Sequence, residues 1–286
     1  MTAILFGLAT AIAWSVSTLC STRASRMVGA APALAWVSFI GFVICAPFAL
    51  LDSRSGVDPV DLGWLGIAGL GNVIGLLLLY AAVRRGKVGI AAPIASTEGA
   101  IAALIAVLVG EAIAPSALLV MAVIVVGVVL ATLDLSGADD GQPGVTPVFL
   151  ALIIPVAIVF GIGLYAGGRV AGTVPAGWLI SASRVVGVIL VSLPMAVGAR
   201  HRLRVPRAAW PWLIATAAAE VIGYWTYLMG ARVSISVTAV LASQFAAIAV
   251  VGGYLLFGER LSRVQRGGVV LICVGVAALA VLRSAG

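Results

Sequence analysis

Residues 107–133 read VLVGEAIAPSALLVMAVIVVGVVLATL, and residues 255–282 read LLFGERLSRVQRGGVVLICVGVAALAVL. In each stretch an apolar run ends at a Gly-Glu pair, and a second apolar run of about 20 residues follows, which is long enough to cross a bilayer as a helix. Two such stretches in one chain predict a helical membrane protein.

The composition of the whole chain agrees with that prediction. Of the 286 residues, 63% are hydrophobic and only 9% are charged, whereas soluble domains carry roughly 25% charged residues. This excludes a soluble enzyme, a nucleic-acid-binding module and a disordered chain, despite the net charge of +7. The three cysteines lie in apolar runs without CxxC spacing, and His201 is the single histidine, so we expect no disulfide framework, metal site, haem or other cofactor.

The positions of charges, glycines and prolines divide the sequence into ten predicted spans. Their bounds are roughly 2–22, 32–51, 62–83, 88–109, 115–133, 146–168, 175–198, 208–230, 235–257 and 265–283. The fold class expected is therefore an all-α polytopic membrane protein with five spans in residues 1–134, a central loop over 135–147 and five spans in residues 148–286. Prolines within the spans predict kinks at Pro47, Pro93, Pro155 and Pro194.

The second half of the chain repeats features of the first. A shift of 148 residues places Gly258-Glu259 on Gly110-Glu111, and it also places Arg232 on Arg84, Trp212 on Trp64 and Gly275 on Gly127. Because five spans are an odd number, the second repeat starts on the opposite side of the bilayer. Inverted repeats with a site between them at mid-membrane are typical of secondary transporters.

These motifs resemble the EamA family of the drug/metabolite transporter superfamily. The resemblance rests on the two Gly-Glu stretches and on LLLLYAAVRRGKVGIAAP (76–93) and YWTYLMGARVSISVTA (224–239). It implies ten helices around a central cavity and export of amino acids, related metabolites or drugs by alternating access. The family often has proline twelve residues before each Gly-Glu pair, whereas this chain has Glu98 and Ala246 there, so the substrate of another member cannot be assumed.

Among the 17 basic and 10 acidic residues, three lie well within predicted spans: Glu98, Arg184 and Glu220. An ionised side chain at the bilayer centre costs about 2.5–3.5 kcal/mol on insertion scales, so each should face a cavity, find a partner or lose its charge. These residues are the leading candidates for binding substrate or carrying protons. A structural ion pair of Arg184 with Glu220 or Glu98 is the alternative, and both roles can coexist.

Polar side chains accompany these charges at helical spacing. The eighth span has a stripe of Thr216, Glu220, Tyr224 and Tyr227, the seventh has Ser181 and Arg184, and the first has Thr10, Trp14, Ser17 and Ser21. Under the same shift of 148 residues, Asn72 is equivalent to Glu220, and Ser96 is equivalent to Gln244. The predicted substrate and proton cavity comprises Glu98, Arg184, Glu220, Asn72, Tyr224, Tyr227, Gln244, Trp14 and Ser96.

A carboxyl inside a membrane can relay protons. We therefore expect Glu220 or Glu98 to couple proton movement to transport, and Arg184 to attract a substrate carboxylate or neutralise one glutamate. Acid, base and aromatic groups around one cavity suit a small zwitterion such as an amino acid. An exporter of lipophilic cations is the alternative, whereas an intramembrane enzyme would need clustered catalytic groups that the spans lack.

The gaps between spans indicate orientation and capping. One set of alternate gaps carries 12 of the 17 basic residues and the other carries 4, so the positive-inside rule places both termini outside, while the family resemblance implies both inside. Glu111 and Glu259 lie at span ends, where a carboxylate can reach water or cap the N-terminus of the next helix, and capping is the role we expect. We expect a plasma-membrane protein, monomer or homodimer, with a small-molecule substrate.

Overall fold

The computed structural model describes residues 2–52, 58–110, 115–132, 145–170, 173–231, 241–242 and 244–284, and this described part is helical without strands. In chain order the α-helices are α1 (Thr2–Val28), α2 (Ala30–Leu51), α3 (Pro59–Val83), α4 (Val88–Ala95), α5 (Glu98–Leu108), α6 (Pro115–Thr132), α7 (Pro147–Val170), α8 (Ala176–Gly187), α9 (Leu193–Gly198), α10 (Trp210–Ala231), α11 (Phe245–Phe257) and α12 (Arg263–Ser284). The predicted central loop and the start of the predicted ninth span fall largely outside the described residues.

Five of these helical segments are long and apolar enough to cross a membrane: Ile4–Val28, Ala30–Leu51, Pro59–Val83, Pro147–Val170 and Ala176–Gly198. Shorter apolar helices include Phe245–Phe257. The outer surface of the molecule is apolar, with large side chains such as Leu51 and Val197 exposed, while many serine and threonine side chains are buried. Soluble proteins have a polar surface and an apolar interior, and this molecule has the reverse. The arrangement fits a protein whose outer surface contacts lipid and whose polar groups lie inside.

Three predicted spans contain breaks. The predicted fourth span is divided at Ser96–Thr97 into α4 and α5, and this break begins three residues after Pro93. The hydroxyls at this break donate back to their own helix, from Ser96 to the Pro93 carbonyl at 2.8 Å and from Thr97 to the Ile94 carbonyl at 2.7 Å. In the ninth span a turn residue, Gln244, precedes α11.

The break in the predicted seventh span is a π-helical turn, Val188–Ser192, between α8 and α9. The Leu193 N–H donates to the carbonyl of Val188, five residues earlier. Pro194, which has no N–H to donate, follows directly. Pro47 and Pro155, in contrast, lie inside α2 and α7, which continue past them.

The helices pack in a regular set of pairs. Helix α1 packs on α10 and α3 on α7, while α2 packs on α8, α4 on α11, and α6 on α12. Glycines permit the closest approaches: a Cβ on Gly71 would lie 2.8 Å from the Cα of Gly163. Small residues at such crossings bring membrane helices into backbone contact.

One end of the molecule collects most of the basic side chains. There α1, α3 and α9 end, and α4, α10 and α12 begin. The basic side chains near these helix ends are Arg23, Arg26, Arg84, Arg85, Lys87, Arg200, Arg202, Arg204, Arg207, Arg260, Arg263 and Arg266. We call this end the basic face. The opposite face carries the start of α1 and of α8.

Candidate functional site

A buried ion pair lies at the centre of the helix assembly. The Arg184 Nη2 lies 3.0 Å from Oε2 of Glu220, and the Ser17 hydroxyl donates to Oε1 of Glu220 at 2.6 Å. Arg184 is 1% exposed and Glu220 is 7% exposed. The structure thus joins two of the three predicted intramembrane charges through α1, α8 and α10.

The pair lies at mid-depth in the membrane. Arg184 is eight residues into α8, which starts at the face opposite the basic one, and Glu220 is ten residues into α10, which starts at the basic face. At 1.5 Å per residue these positions are about 12 and 15 Å from the two helix starts. The hydrocarbon core is about 30 Å thick, so both side chains lie near its centre.

Glycine in α2 makes room for Arg184. A Cβ on Gly41 would lie 2.8 Å from Cδ of Arg184 and 3.3 Å from its Nε. The arginine stem therefore crosses α2 where no side chain stands. Gly187, on the same helix as Arg184, similarly lies against Ser38 of α2, which brings α2 and α8 close together.

Arg184 keeps unused hydrogen-bonding capacity. Its Nε has no partner among the described residues, and the buried Ser181 hydroxyl, three residues earlier on the same helix face, has none either. A guanidinium has five N–H groups arranged for bidentate binding of carboxylate or phosphate. The bond to Glu220 thus uses only part of the hydrogen-bonding capacity of Arg184.

An aromatic cluster adjoins the ion pair. The ring of Trp14 stacks on Tyr227 with centroids 5.9 Å apart and meets Tyr224 edge-on at 5.7 Å and Phe245 edge-on at 6.1 Å. The Asn72 amide donates to the Tyr224 hydroxyl at 2.9 Å. The cluster places four predicted residues, Trp14, Asn72, Tyr224 and Tyr227, beside Glu220.

Glu98 is the first residue of α5, directly after the break at Ser96–Thr97. Its half-buried side chain is close enough to Glu220 for the two carboxylates to repel each other when ionised, and it interacts electrostatically with Tyr224 and Tyr227. No arginine or lysine in the described part of the chain forms a salt bridge with it. Glu98 therefore faces the same region as the ion pair but is not part of the pair.

The repeat-equivalent residues Ser96 and Gln244 are placed less directly. Ser96 is buried and its hydroxyl bonds within its own helix, while Gln244 precedes α11 at the corresponding break. Both mark a discontinuity in a helix.

Sequence reasoning missed three contributors to the site. Ser17 was on the predicted polar stripe of the first span, but nothing in the sequence marked it as the partner of Glu220. Gly41 and Phe245 carried no signal at all, because their roles depend on which helices become neighbours.

Glu259 caps a helix, but not the next helix in the chain, which was the one expected: the capped helix belongs to the first half. Its carboxylate accepts the backbone N–H of Val88 at 3.0 Å and of Gly89 at 2.9 Å, and Arg26 lies 3.2 Å from it. Two N-terminal N–H groups of α4 are thereby satisfied. The equivalent prediction for Glu111 falls outside the described residues.

Apolar helices around a buried polar centre define a multi-pass integral membrane protein. Residues 1–133 match the model of the EamA-like transporter family, which confirms over that half of the chain the resemblance carried by the motifs. The first part of the chain is thus similar to that family of transporters.

The other comparisons concern the fold and close relatives. A solved structure described only as the crystal structure of a protein superposes with a TM-score of 0.65 at 19% identity, over 99% of this chain and 97% of that one. At this identity the likeness shows a shared fold. No curated protein matches the sequence.

Proposed function

We propose that the chain is a secondary active transporter that exports small metabolites, such as amino acids or related zwitterions, by alternating access. The observation that carries this proposal is the mid-membrane cluster of Arg184, Glu220 and Ser17, in which the Nε–H of Arg184 has no hydrogen-bond partner among the described residues. Charges at this depth are expensive and mark transport pathways in membrane proteins.

The helix pairs support an architecture of ten spans in two inverted five-helix repeats. If each helix is replaced by its equivalent in the other half, the pair α1–α10 becomes the pair α7–α3. In both of these pairs the two helices pack on each other. Helix pairs α2–α8 and α6–α12 each exchange into themselves. The pairs α5–α7 and α3–α8 exchange into α11–α1 and α10–α2, which also pack together. A twofold axis in the membrane plane produces this pattern.

Individual residues repeat the same exchange. Gly110 and Gly258, which are equivalent under the shift of 148 residues, both have positive φ, +101° and +66°. A Cβ on Gly127 would meet Ile272, and a Cβ on the equivalent Gly275 would meet the equivalent Ile124. Reciprocal contacts of this kind are expected between related halves.

The two broken helices support a site between the halves. In inverted-repeat transporters the substrate lies near the midplane, where discontinuous helices meet. Here α4 and α5 are separated at Ser96–Thr97, and Gln244, the equivalent of Ser96, stands at the start of α11. Glu98 follows the first of these breaks, which brings a carboxylate to the proposed site.

Proposed substrate recognition follows from the chemistry of these groups. A substrate carboxylate would bind the free N–H groups of Arg184 and displace Glu220 from the guanidinium. Its ammonium group would be received by Glu98 and by the faces of Trp14 and Tyr224. Glu220 or Glu98 would carry the coupled proton, because carboxyl groups inside the membrane form proton relays in pumps and transporters.

An exporter of lipophilic cations is the second candidate. The aromatic cluster around Trp14 lies beside two carboxylates, Glu98 and Glu220, and aromatic faces with nearby acids bind organic cations. In this case Arg184 serves only to hold Glu220 in place. The two candidates therefore differ in whether the substrate needs a carboxylate.

The experiment that separates them uses purified protein in proteoliposomes, with a panel of amino acids and organic cations, with and without an imposed pH gradient. Gradient-dependent movement of amino acids, blocked by analogues that keep the carboxylate, supports the first candidate. Movement of cationic dyes with no competition by amino acids supports the second. Movement of neither class refutes the proposed function.

The proposed location is the plasma membrane, with one chain or a homodimer enclosing the cavity. The basic face is cytoplasmic by the positive-inside rule, and extracellular if both termini are inside. An Arg23→Cys variant in intact cells decides between them, because Arg23 is exposed on the basic face. Reaction with a membrane-impermeant maleimide would place that face outside.

A further inference from the structure

The segment that follows α11 returns into the molecule. Helix α11 ends at Gly258, whose φ of +66° favours glycine. The N–H of Glu259 then donates to the carbonyl of Gly253 at 3.2 Å. The turn directs the Glu259 side chain inward, where it is 3% exposed.

Glycine at position 253 makes space for this carboxylate. A Cβ on Gly253 would lie 2.9 Å from Oε2 of Glu259. Each carboxylate oxygen receives a backbone N–H from the first turn of α4: Oε1 from Val88 and Oε2 from Gly89. A negative charge here also interacts favourably with the positive end of the α4 dipole.

Arg26 extends the contact to a third segment. Its Nη2 bonds to Glu259 at 3.2 Å and to the Gly86 carbonyl at 3.1 Å, while its Nε bonds to the Val83 carbonyl at 2.9 Å. The guanidinium also lies over the ring of Phe257, 4.9 Å from its centroid. The end of α1 is thus joined to the end of α3 and to the second half of the chain.

Lys87 adds a further tie across the same boundary. Its Nζ donates to the carbonyl of Arg260 at 2.7 Å. We call Arg26, Lys87 and Glu259 the basic-face latch. In the described part of the chain, each hydrogen bond of the Glu259 carboxylate reaches a residue of the first half.

We propose that Glu259 is a positioning residue that holds the basic face closed and fixes the half-helix α4, and through it the break that carries Glu98. This inference rests on the proposed alternating-access function. Opening at the basic face requires the segment after α11 to leave α1 and α4, and the latch contacts are the polar ones that must break. Helix α4 is eight residues long, about 12 Å, so a displacement of its first turn is carried rigidly to Ser96–Thr97.

The test uses two reporter cysteines in full-length protein whose native Cys20, Cys45 and Cys273 are replaced by alanine. Ser21→Cys lies five residues inward from Arg26, beneath the latch, and Ser181→Cys lies five residues into α8 from the opposite face; both serines are buried. The labelling rate with a water-soluble maleimide is measured in nanodiscs without substrate. Introducing Glu259→Gln weakens the latch in each reporter protein.

The expected result is an increase of about fivefold or more at Ser21→Cys, the lower end of typical coupling between two conformations, with a decrease at Ser181→Cys. Arg26→Gln is the second variant, and it should act in the same direction and less than additively with Glu259→Gln, because the two side chains share one contact. Arg23→Gln is the matched control. It removes an equal charge from an exposed position one turn earlier and should change neither rate.

Labelling rates that change in opposite directions at the two reporter cysteines distinguish a conformational shift from local unfolding. Increased labelling at both positions would mean local unfolding and would overturn the proposal, as would unchanged labelling at both or a decrease at Ser21→Cys. Because labelling needs no substrate, the labelling rates can be interpreted even if the protein does not transport the proposed substrates. A transport assay of the same variants then reports on the function alone.

Discussion

A partly buried arginine–glutamate pair in the latch and a buried pair at mid-depth differ in how completely their hydrogen-bonding groups are satisfied. In the latch, Arg26 binds two backbone carbonyls as well as Glu259, and Glu259 also binds two backbone N–H groups. At mid-depth, Glu220 binds only Arg184 and Ser17 in the described contacts, and the Arg184 Nε has no partner.

The two pairs therefore differ in the hydrogen-bonding groups that remain available to bind a ligand. A buried charge stabilises a protein only when its remaining hydrogen-bonding groups are also satisfied. The latch meets this condition with protein groups alone, so it suits a structural contact that opens and closes. The mid-depth pair does not, so a substrate carboxylate could improve its bonding, and we infer binding there for that reason.

The largest effect is expected when one charge of the mid-depth pair is removed and the other stays buried without its partner. Arg184→Gln should lower the free energy of unfolding by about 3–5 kcal/mol, since Glu220 would remain buried without its partner, and it should abolish transport. Thermal unfolding in detergent and efflux from proteoliposomes measure the two effects.

The double variant Arg184→Gln with Glu220→Gln is the control for that experiment. It should recover most of the stability, because no uncompensated charge remains, but not the transport. Full transport by the stable double variant would show that the pair has only a structural role.

A smaller effect is expected from filling the space that Arg184 occupies. Gly41→Ala would place a methyl group against Cδ of Arg184, destabilise the protein by about 1–3 kcal/mol and reduce transport by displacing the guanidinium. Gly66→Ala in α3 is the matched control, since a Cβ there meets nothing within 4 Å. Equal transport by both glycine variants would contradict a close-fitting arginine.

The acids of the mid-depth region provide the next comparison. Glu98→Gln with Glu220→Gln should remove the dependence of transport on an imposed pH gradient, because neither side chain can then carry a proton. Glu259→Gln, an equally conservative change in the latch, should retain that dependence. Gradient-driven export that persists in the double variant would refute proton coupling through these residues.

The smallest effect concerns the hydrogen bond between Asn72 and Tyr224. Tyr224→Phe should weaken substrate binding or stability by about 0.5–1.5 kcal/mol, the net value of a typical hydrogen bond. Tyr227→Phe is the matched change on the same helix, at a ring that stacks on Trp14 without a described hydrogen bond. A KM for substrate that changes equally in both variants would mean that the Asn72 contact contributes nothing.

Much of the fold could be predicted from hydropathy alone. Predicted spans at 2–22, 32–51 and 62–83 correspond to α1, α2 and α3, because each is a continuous apolar run between polar gaps. The fourth span could not be predicted as two helices. Its sequence from 88 to 109 is uniformly apolar apart from ASTE, and the break depends on serine and threonine hydroxyls bonding to their own backbone.

Part of the site could also be predicted from hydropathy, because charged residues contrast with the apolar runs around them. Arg184, Glu220 and Glu98 stand out because charges inside apolar runs are rare. The structure pairs Arg184 with Glu220, one of the two partners that the sequence left open. Ser17 could not be selected from the many serines of the first span. Glu259 resembled an ordinary span-end residue, since its helix partner lies 170 residues earlier in the sequence and only tertiary packing brings them together.

The π-helical turn at Val188–Ser192 affects how this chain tolerates changes in length. A π turn contains one residue more than the α-helical turn it replaces. Deleting one residue within 188–192 would therefore allow a regular helix to form while Arg184 and Pro194 keep their neighbours. The same deletion within α8 would rotate everything beyond it by about 100°. This turn is thus a place where the span can lose a residue without turning its polar face towards lipid.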